Sequence, residues 1–166
     1  ALGTTGRAGN EDFNIRGIGG NRVLIQVDGI RSPQGFTFGA QEVGRGNATV
    51  VGLIKSVEIL RGPASALYGS DGLSGAVSFI TSDPADFISD GNSFGGFARA
   101  QYSSADQEFS ETVALAGQAG DFSAMLAYSR RDFEELDNKG TVDTEDATRT
   151  TPNPQDGESN AFLGKL

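Results

Sequence analysis

The sequence predicts an α+β domain followed by about four antiparallel strands that begin a large transmembrane β-barrel. Two observations support this fold class. Residues 1–86 combine short apolar runs with glycine-rich turns and one short helical stretch, which is typical of a small mixed domain. Residues 94–166 alternate apolar and polar side chains between short turns and one long loop, a rhythm typical of an outer-membrane barrel. We expect the chain to be a fragment of a longer protein.

The composition narrows the classes of function. The 166 residues include no Cys and no His, so disulfides, thiolate metal sites and the commonest general base are all excluded. Catalysis, a resident metal and an intrinsic cofactor are therefore not expected. The net charge of -9 arises entirely after residue 85, and an acidic chain without a basic patch argues against nucleic-acid binding. No apolar run is long enough for a membrane helix.

The first strands are indicated by apolar runs that end in turn residues. Phe13–Gly17 alternates and predicts a short strand and turn. Arg22–Asp28 has a nearly continuous apolar run, which predicts a strand buried on both faces. Asp28-Gly29 is a hairpin-type turn, so Ile30 and Arg31 begin the returning strand. Residues 32–52 are irregular, with Pro33 and several glycines, and predict a long loop.

A second strand pair surrounds the only helical signal. Ile54–Leu60 predicts another buried strand, which we expect to lie beside Arg22–Asp28 in one sheet. Pro63 suits the first turn of a short helix over residues 64–68. Glycines then end this helix and return the chain into a strand over residues 76–81.

The pattern changes after residue 90. Four stretches have the alternating character of strands: residues 95–102, 111–118, 122–130 and 160–166. Turn residues separate the first three stretches. The gap of residues 132–158 is acidic, contains two prolines and has no periodicity, so it predicts a long solvated loop. A calcium site among its carboxylates is the less favoured interpretation.

Three separated motifs resemble the plug domain of TonB-dependent outer-membrane receptors: Asn14-Ile15-Arg16-Gly17, the run from Arg22 to Gly29, and Arg61-Gly62-Pro63 through Tyr68, Gly69 and Gly75. The resemblance covers roughly residues 11–85. It implies a plug over residues 1–86, barrel strands over residues 94–166 and an extracellular loop over residues 132–158. It also implies a Gram-negative outer membrane, surrounding lipid, and the inner-membrane partner TonB, whose recognition box is not apparent in residues 1–10.

The same resemblance implies a role for two arginines. In matching motifs of the family, arginines at the positions of Arg16 and Arg61 pair with glutamates of the barrel wall and hold the plug in the lumen. Arginine suits this role because it stays charged and binds carboxylates with a two-pronged fork. The partner glutamates would lie on strands beyond Leu166.

The resemblance defines the transported ligand less narrowly than it defines the family. The motifs at Asn14–Gly17, Asn21–Leu24, Asp28–Arg31 and Ser82–Asp86 are similar to the haem and haemoprotein receptor branch. The absence of His argues against an imidazole haem ligand in this part, so no ligand-binding residue is assigned, although Tyr68 stays a candidate. A ferric-siderophore receptor is the alternative within the family. From another class, a soluble β-rich binding module with a folded meander stays open, and an enzyme is the weakest reading.

Overall fold

The computed structural model describes residues 13–34, 37–38, 41–42, 51–69 and 72–166. The chain divides into two compact units, Ala1–Ser82 and Asp83–Leu166. Each unit is built around its own four-stranded sheet. Among the described residues, no helix is long and apolar enough to cross a membrane.

The first unit contains one mixed sheet in the order β2-β1-β6-β5, here called the mixed sheet. Its strands and helix are β1 Val23–Val27, β2 Ile30–Arg31, β5 Ile54–Arg61, α1 Ser65–Tyr68 and β6 Gly75–Thr81, and β3 Thr37–Phe38 pairs separately with β4 Gln41–Glu42. β1 runs parallel to β6, whereas β1 with β2 and β5 with β6 are antiparallel.

The core of the mixed sheet lies on both faces of its two central strands. Val23, Ile25, Val77 and Phe79 pack together on one face with Ile15, and Leu24 packs with Ala64 and Ala76 on the other. The buried apolar run predicted for β1 is therefore present, because alternate side chains of a central strand face opposite layers.

The structure corrects two expectations about this unit. Residues 54–60 do form a strand, but β5 lies at the sheet edge and all its residues after Ile54 are exposed. It shares the sheet with β1 without lying beside it, because β6 pairs with both. Phe13–Gly17 is not a strand: Ile15 and Ile18 form one isolated bridge around a tight turn at Arg16 and Gly17.

The second unit contains one antiparallel sheet in the order β10-β9-β8-β7, here called the meander sheet. Its strands are β7 Phe94–Tyr102, β8 Phe109–Ala119, β9 Phe122–Glu134 and β10 Asp156–Lys165. β9 and β10 extend further than the alternating pattern indicated, so the long connection is shortened to residues 135–155. Gly120, at φ +61°, allows the tight turn between β8 and β9.

The two faces of the meander sheet differ sharply. One face, here called the covered face, carries the buried side chains Thr112, Ala114, Ala116, Met125, Ala127 and Ser129. The other, here called the open face, carries large exposed apolar side chains. Both sets follow the strict alternation of a β-strand.

Candidate functional site

The most distinctive loop of the first unit joins β5 to β6 and is here called the motif loop, residues 62–74. Backbone hydrogen bonds close it at two levels, from the Gly62 N–H to the Ser74 carbonyl at 3.0 Å and from the Ala64 N–H to the Gly72 carbonyl at 2.7 Å. A Cβ at Gly72 would stand 2.9 Å from the Cβ of Ala64, so this crossing requires glycine. Within the loop, α1 begins after Ala64 and ends at Tyr68, and Gly69 follows it.

The remaining motif residues lie at the ends of this loop. Pro63 is exposed and precedes α1, and the exposed Tyr68 is the last residue of that helix. Gly75 begins β6, is buried and stands opposite Arg61 in the strand register. A side chain at Gly75 would overlap the Leu60 carbonyl oxygen and the Ile15 side chain, so close backbone approach explains this glycine.

Arg16 and Arg61 are brought toward the same end of the mixed sheet. Arg16 directly follows Ile15, and Arg61 directly follows Leu60, and both of these preceding residues contact Gly75. Arg16 sits in a tight turn at φ +55°, where the Asn14 side-chain oxygen accepts the Gly17 N–H at 2.8 Å. Both arginines are exposed, and neither makes an ion pair within the described part of the chain.

Two further residues, Asp28 and Arg31, organise this unit, although the sequence pattern alone indicated only a turn at the first and the start of a strand at the second. The Asp28 carboxylate accepts the Thr81 N–H at 2.9 Å and the Thr81 hydroxyl at 2.5 Å. Arg31 donates to the Tyr68 carbonyl at 2.8 Å. The turn formed by Asp28 and Gly29 therefore ties the β1–β2 hairpin to the end of β6, and Arg31 ties it to the motif loop.

The open face of the meander sheet is a continuous apolar surface. Across β8 and β9, Val113 stands opposite Tyr128 and Leu115 opposite Leu126, and Phe162 stacks on Tyr128 with ring centroids 4.8 Å apart. The exposed fractions of Leu126 and Phe162 are 66% and 76%. Monomeric soluble proteins rarely expose so many contiguous large apolar side chains, so this face is built to contact an apolar environment.

A polar row ends this apolar surface near the 135–155 connection. Arg130 donates to Asp132 at 2.9 Å and approaches Glu158 at 3.9 Å, and Glu111 stands opposite Arg130 in the register. Phe94 and Phe122 lie on the same face toward the other ends of their strands and are highly exposed. An apolar band bounded by aromatic and charged residues is typical of a membrane-facing strand surface.

The covered face carries polar contacts between strands. The hydroxyls of Thr112 and Ser129 are 2.8 Å apart. Arg131 donates to Glu108 at 2.6 Å and lies over the ring of Phe133 at 4.5 Å. These contacts join the loop before β8 to β9, and they satisfy the polar groups on a face that excludes much of the solvent.

The acidic connection of residues 135–155 is held in shape by its own side chains. The Gln155 N–H donates to Glu135 at 2.8 Å, and this bond lowers the pKa of the Glu135 carboxyl. The Thr148 hydroxyl and backbone N–H lower the pKa of Asp146 in the same way. Arg149 pairs with Asp143 at 2.8 Å.

The described residues hold no group of three or more acidic side chains close enough to bind a metal ion. The features that stand out in the described residues are the exposed arginines, the open face and the acidic connection.

The chain is similar to several known proteins. Residues 2–76 match the family model described as TonB-dependent Receptor Plug Domain. The chain is 35% identical over 139 residues to transferrin-binding protein A of Neisseria meningitidis serogroup B, covering 79% of this chain and 15% of that protein. It is also 35% identical over 144 residues to hemoglobin-haptoglobin-binding protein A of Haemophilus influenzae, covering 81% of this chain and 14% of that protein.

Solved structures agree on the fold. The FrpB iron transporter from Neisseria meningitidis, F3-3 variant, superposes with a TM-score of 0.75 and 22% sequence identity, over 93% of this chain and 22% of that one. The chain therefore spans about a seventh of the curated relatives' length and less than a quarter of this structural neighbour's.

Proposed function

Because the chain belongs to the TonB-dependent receptor family, with residues 2–76 matching its plug domain, we propose that the whole protein is an outer-membrane receptor for active uptake of an iron-containing ligand. In this proposal residues 1–86 form the plug, and residues 94–166 form the first four strands of a large transmembrane barrel that the plug closes. The connection within residues 132–158 is then extracellular. TonB, at the inner membrane, remodels the plug to admit the ligand.

The observation that carries this proposal is the open face of the meander sheet, which follows a plug-type domain in the same chain. Its apolar side chains, among them Leu115, Leu126 and Phe162, are exposed at consecutive register positions. Such a surface is stable against lipid and unfavourable in water. A soluble β-rich binding module would not present it, so this alternative is the weaker one.

Haem, free or taken from haemoproteins, is the ligand class we favour. The support is the motif similarity at Asn14–Gly17 and Asp28–Arg31, together with relatives named for hemoglobin-haptoglobin binding and as a hemin receptor. A ferric siderophore is the second candidate. The chain contains no His, so any imidazole that ligates haem iron would belong to another part of the whole receptor.

Growth of an iron-starved Gram-negative host lacking its own haem and siderophore receptors tests this proposal. With the intact receptor gene, we expect growth on haem or haemoglobin and no growth when TonB is deleted. Growth on a ferric siderophore alone would select the second candidate. Growth on neither source, or growth independent of TonB, would contradict active uptake by this receptor.

The plug is held, in this proposal, by Arg61 and Arg16, which pair with carboxylates of the barrel wall. The support is that Arg61 stands opposite Gly75 in the strand register and that Arg16 follows Ile15, whose side chain approaches Gly75. Both arginines are also exposed and have the fork geometry that suits carboxylates. Removing one arginine leaves its partner uncompensated, which costs about 3–5 kcal/mol if the pair is buried and less if water reaches it.

Planar-bilayer conductance of the intact receptor in a urea series tests this lock. Arg61→Ala is expected to open channels at a lower urea concentration than the wild type, while the barrel stays folded. Glu58→Gln, which removes an exposed charge from the same strand, is the matched control and should behave as the wild type. Equal opening of the Arg61→Ala and wild-type channels would show that Arg61 is an ordinary surface arginine.

A further inference from the structure

Residues 83–93 join the two sheets and contact the meander sheet at several positions. Asp83 pairs with Lys165 of β10, with the Asp83 Oδ1 and Lys165 Nζ atoms 3.0 Å apart. The following 3-10 turn, Pro84–Asp86, packs against β8 and β9, and Pro84 is buried. The segment therefore crosses the covered face of the sheet that it precedes.

The start of this segment is shaped by its own hydrogen bonds. The Asp83 N–H donates to the Asp86 carboxylate at 2.7 Å, and the Asp83 side chain accepts the Asp86 N–H to complete a capping box. This reciprocal arrangement defines the first turn of the segment. It places the Asp83 carboxylate where Lys165 reaches it.

The middle and the end of the segment contact β7 and β8 of the meander sheet. The Phe87 ring lies 5.2 Å from the ring of Phe97 on β7. The Phe87 carbonyl occupies the space where a side chain of Gly95 would stand, so the glycine permits this close approach. At the end of the segment, the Ser93 carbonyl accepts the Gln118 N–H of β8 at 2.9 Å.

The preceding residues belong to the other sheet. The Ser82 N–H donates to the Leu53 carbonyl at 3.0 Å, and Thr81 is bound by Asp28. Residues up to Ser82 therefore bond to the mixed sheet, and residues from Asp83 onward contact the meander sheet. No uncontacted linker separates these two sets of residues.

We propose that residues 83–93, which include the last four residues of the 1–86 plug segment, are an anchor that stays with the barrel wall when the plug is remodelled, so that movement of the plug ends at Ser82. Force applied to the plug then reaches the capping box and the Asp83–Lys165 pair before it reaches β7. The anchor protects the first barrel strand from the pull that moves the plug. This inference rests on the proposed plug-and-barrel arrangement but not on the ligand or on transport.

Single-molecule pulling on the N-terminal end of the plug, with the full-length receptor in a lipid bilayer, tests the anchor. We expect one force peak when the chain is extended as far as Ser82 and a second when tension reaches Phe94. The 11 residues between them add about 36–40 Å of contour length at about 3.3–3.6 Å per residue. Because the experiment needs no ligand, its failure is distinct from a failure of the uptake proposal.

A variant pair decides whether the described contacts form the anchor. The double variant K165Q/F87A removes the ion pair and the ring contact, so it should lower the first peak and leave the second unchanged. E108Q is the matched control, because the Glu108–Arg131 pair lies in the same unit outside the segment and is similarly shielded, with Glu108 23% and Lys165 22% exposed. A wild-type trace without a separate peak at Ser82, or an unchanged first peak in the double variant, would overturn the proposal.

Discussion

The mixed sheet and the meander sheet differ in how far they bury their large apolar side chains. In the mixed sheet, the consecutive residues Val23, Leu24 and Ile25 are all buried, because layers cover both faces of β1. In the meander sheet, only the small or flexible side chains are covered, while Leu115, Leu126 and their neighbours are exposed. The central strands of the first sheet are covered on both faces, and the second sheet leaves one apolar face exposed.

The difference matters for stability, because apolar side chains stabilise a fold only where they are buried. Burial of apolar surface contributes about 25 cal/mol per Å² only when that surface leaves water. The central strands of the mixed sheet gain this contribution on folding. The open face of the meander sheet gains it only in lipid or detergent, so its strands are expected to be stable only there.

The largest expected effect is on the solubility of the second unit. Residues 83–166 expressed alone in water should aggregate, because the sheet has two open edges and an exposed apolar face. In detergent micelles, the same polypeptide should stay dispersed and retain β-structure. Size-exclusion chromatography and circular dichroism compare the two conditions, and a soluble, cooperatively melting monomer in water would contradict a lipid-facing surface.

Two isoleucines test whether the mixed sheet's core is confined to its central strands. Ile25 on β1 is 1% exposed, whereas Ile59 on the edge strand β5 is 54% exposed. Ile25→Ala should lower the free energy of unfolding of the plug by about 2–5 kcal/mol, and Ile59→Ala by well under half of that. Urea titration of the intact receptor with a fluorophore on the plug measures both, and equal losses would contradict the edge position of β5.

Two strand glycines differ in the space around them. The neighbouring backbone approaches one of them closely, and the other has room for a side chain. A side chain at Gly75 would overlap the Leu60 carbonyl, whereas a Cβ at Gly117 would meet only the Ser93 carbonyl oxygen, at an ordinary 3.8 Å. Gly75→Ala should cost about 1–3 kcal/mol of plug stability through overpacking. Gly117→Ala should be neutral or slightly stabilising to the barrel, because alanine loses less backbone entropy. Thermal unfolding in detergent would show the reverse order if Gly75 had room for a side chain.

The smallest effect concerns pH and the connection of residues 135–155. The Gln155 N–H lowers the pKa of Glu135 from its ordinary 4.5. The stabilisation is therefore fully present above the unfolded-state pKa and is lost as the pH falls through the lower folded-state pKa. Hydrogen exchange, corrected for its intrinsic rate, should show Gln155 losing protection upon acidification below about pH 4.5.

The variant Glu135→Gln serves as the control for this last effect, because an amide does not titrate. Its Gln155 protection should be independent of pH across the same range. A wild-type profile that is equally flat would show that the carboxylate does not hold this end of the connection.

Much of the architecture was predictable from local pattern. The alternation in residues 122–130 predicted a strand, and in the structure Phe122, Leu126 and Tyr128 lie on one face of β9 and Met125 and Ser129 on the other. Met125, which interrupted an otherwise small or polar set, belongs there because that face is the covered one. The sequence also predicted the Asp28-Gly29 turn. The structure confirms it, because both residues adopt the positive φ that a tight two-residue hairpin turn requires.

The sequence by itself determined most of the longer strands, where the glycine-dependent turns lie and which family the motifs resemble, because these depend on side-chain period and local backbone preference. Only the tertiary structure decided that β6 separates β1 from β5, that the apolar β5 is an exposed edge, and that residues 83–93 fasten to the meander sheet. The order of strands and the covering of a face depend on contacts between residues far apart in the chain. A local apolar run such as Ile54–Leu60 cannot specify them, because the same run suits a buried strand and an edge strand alike.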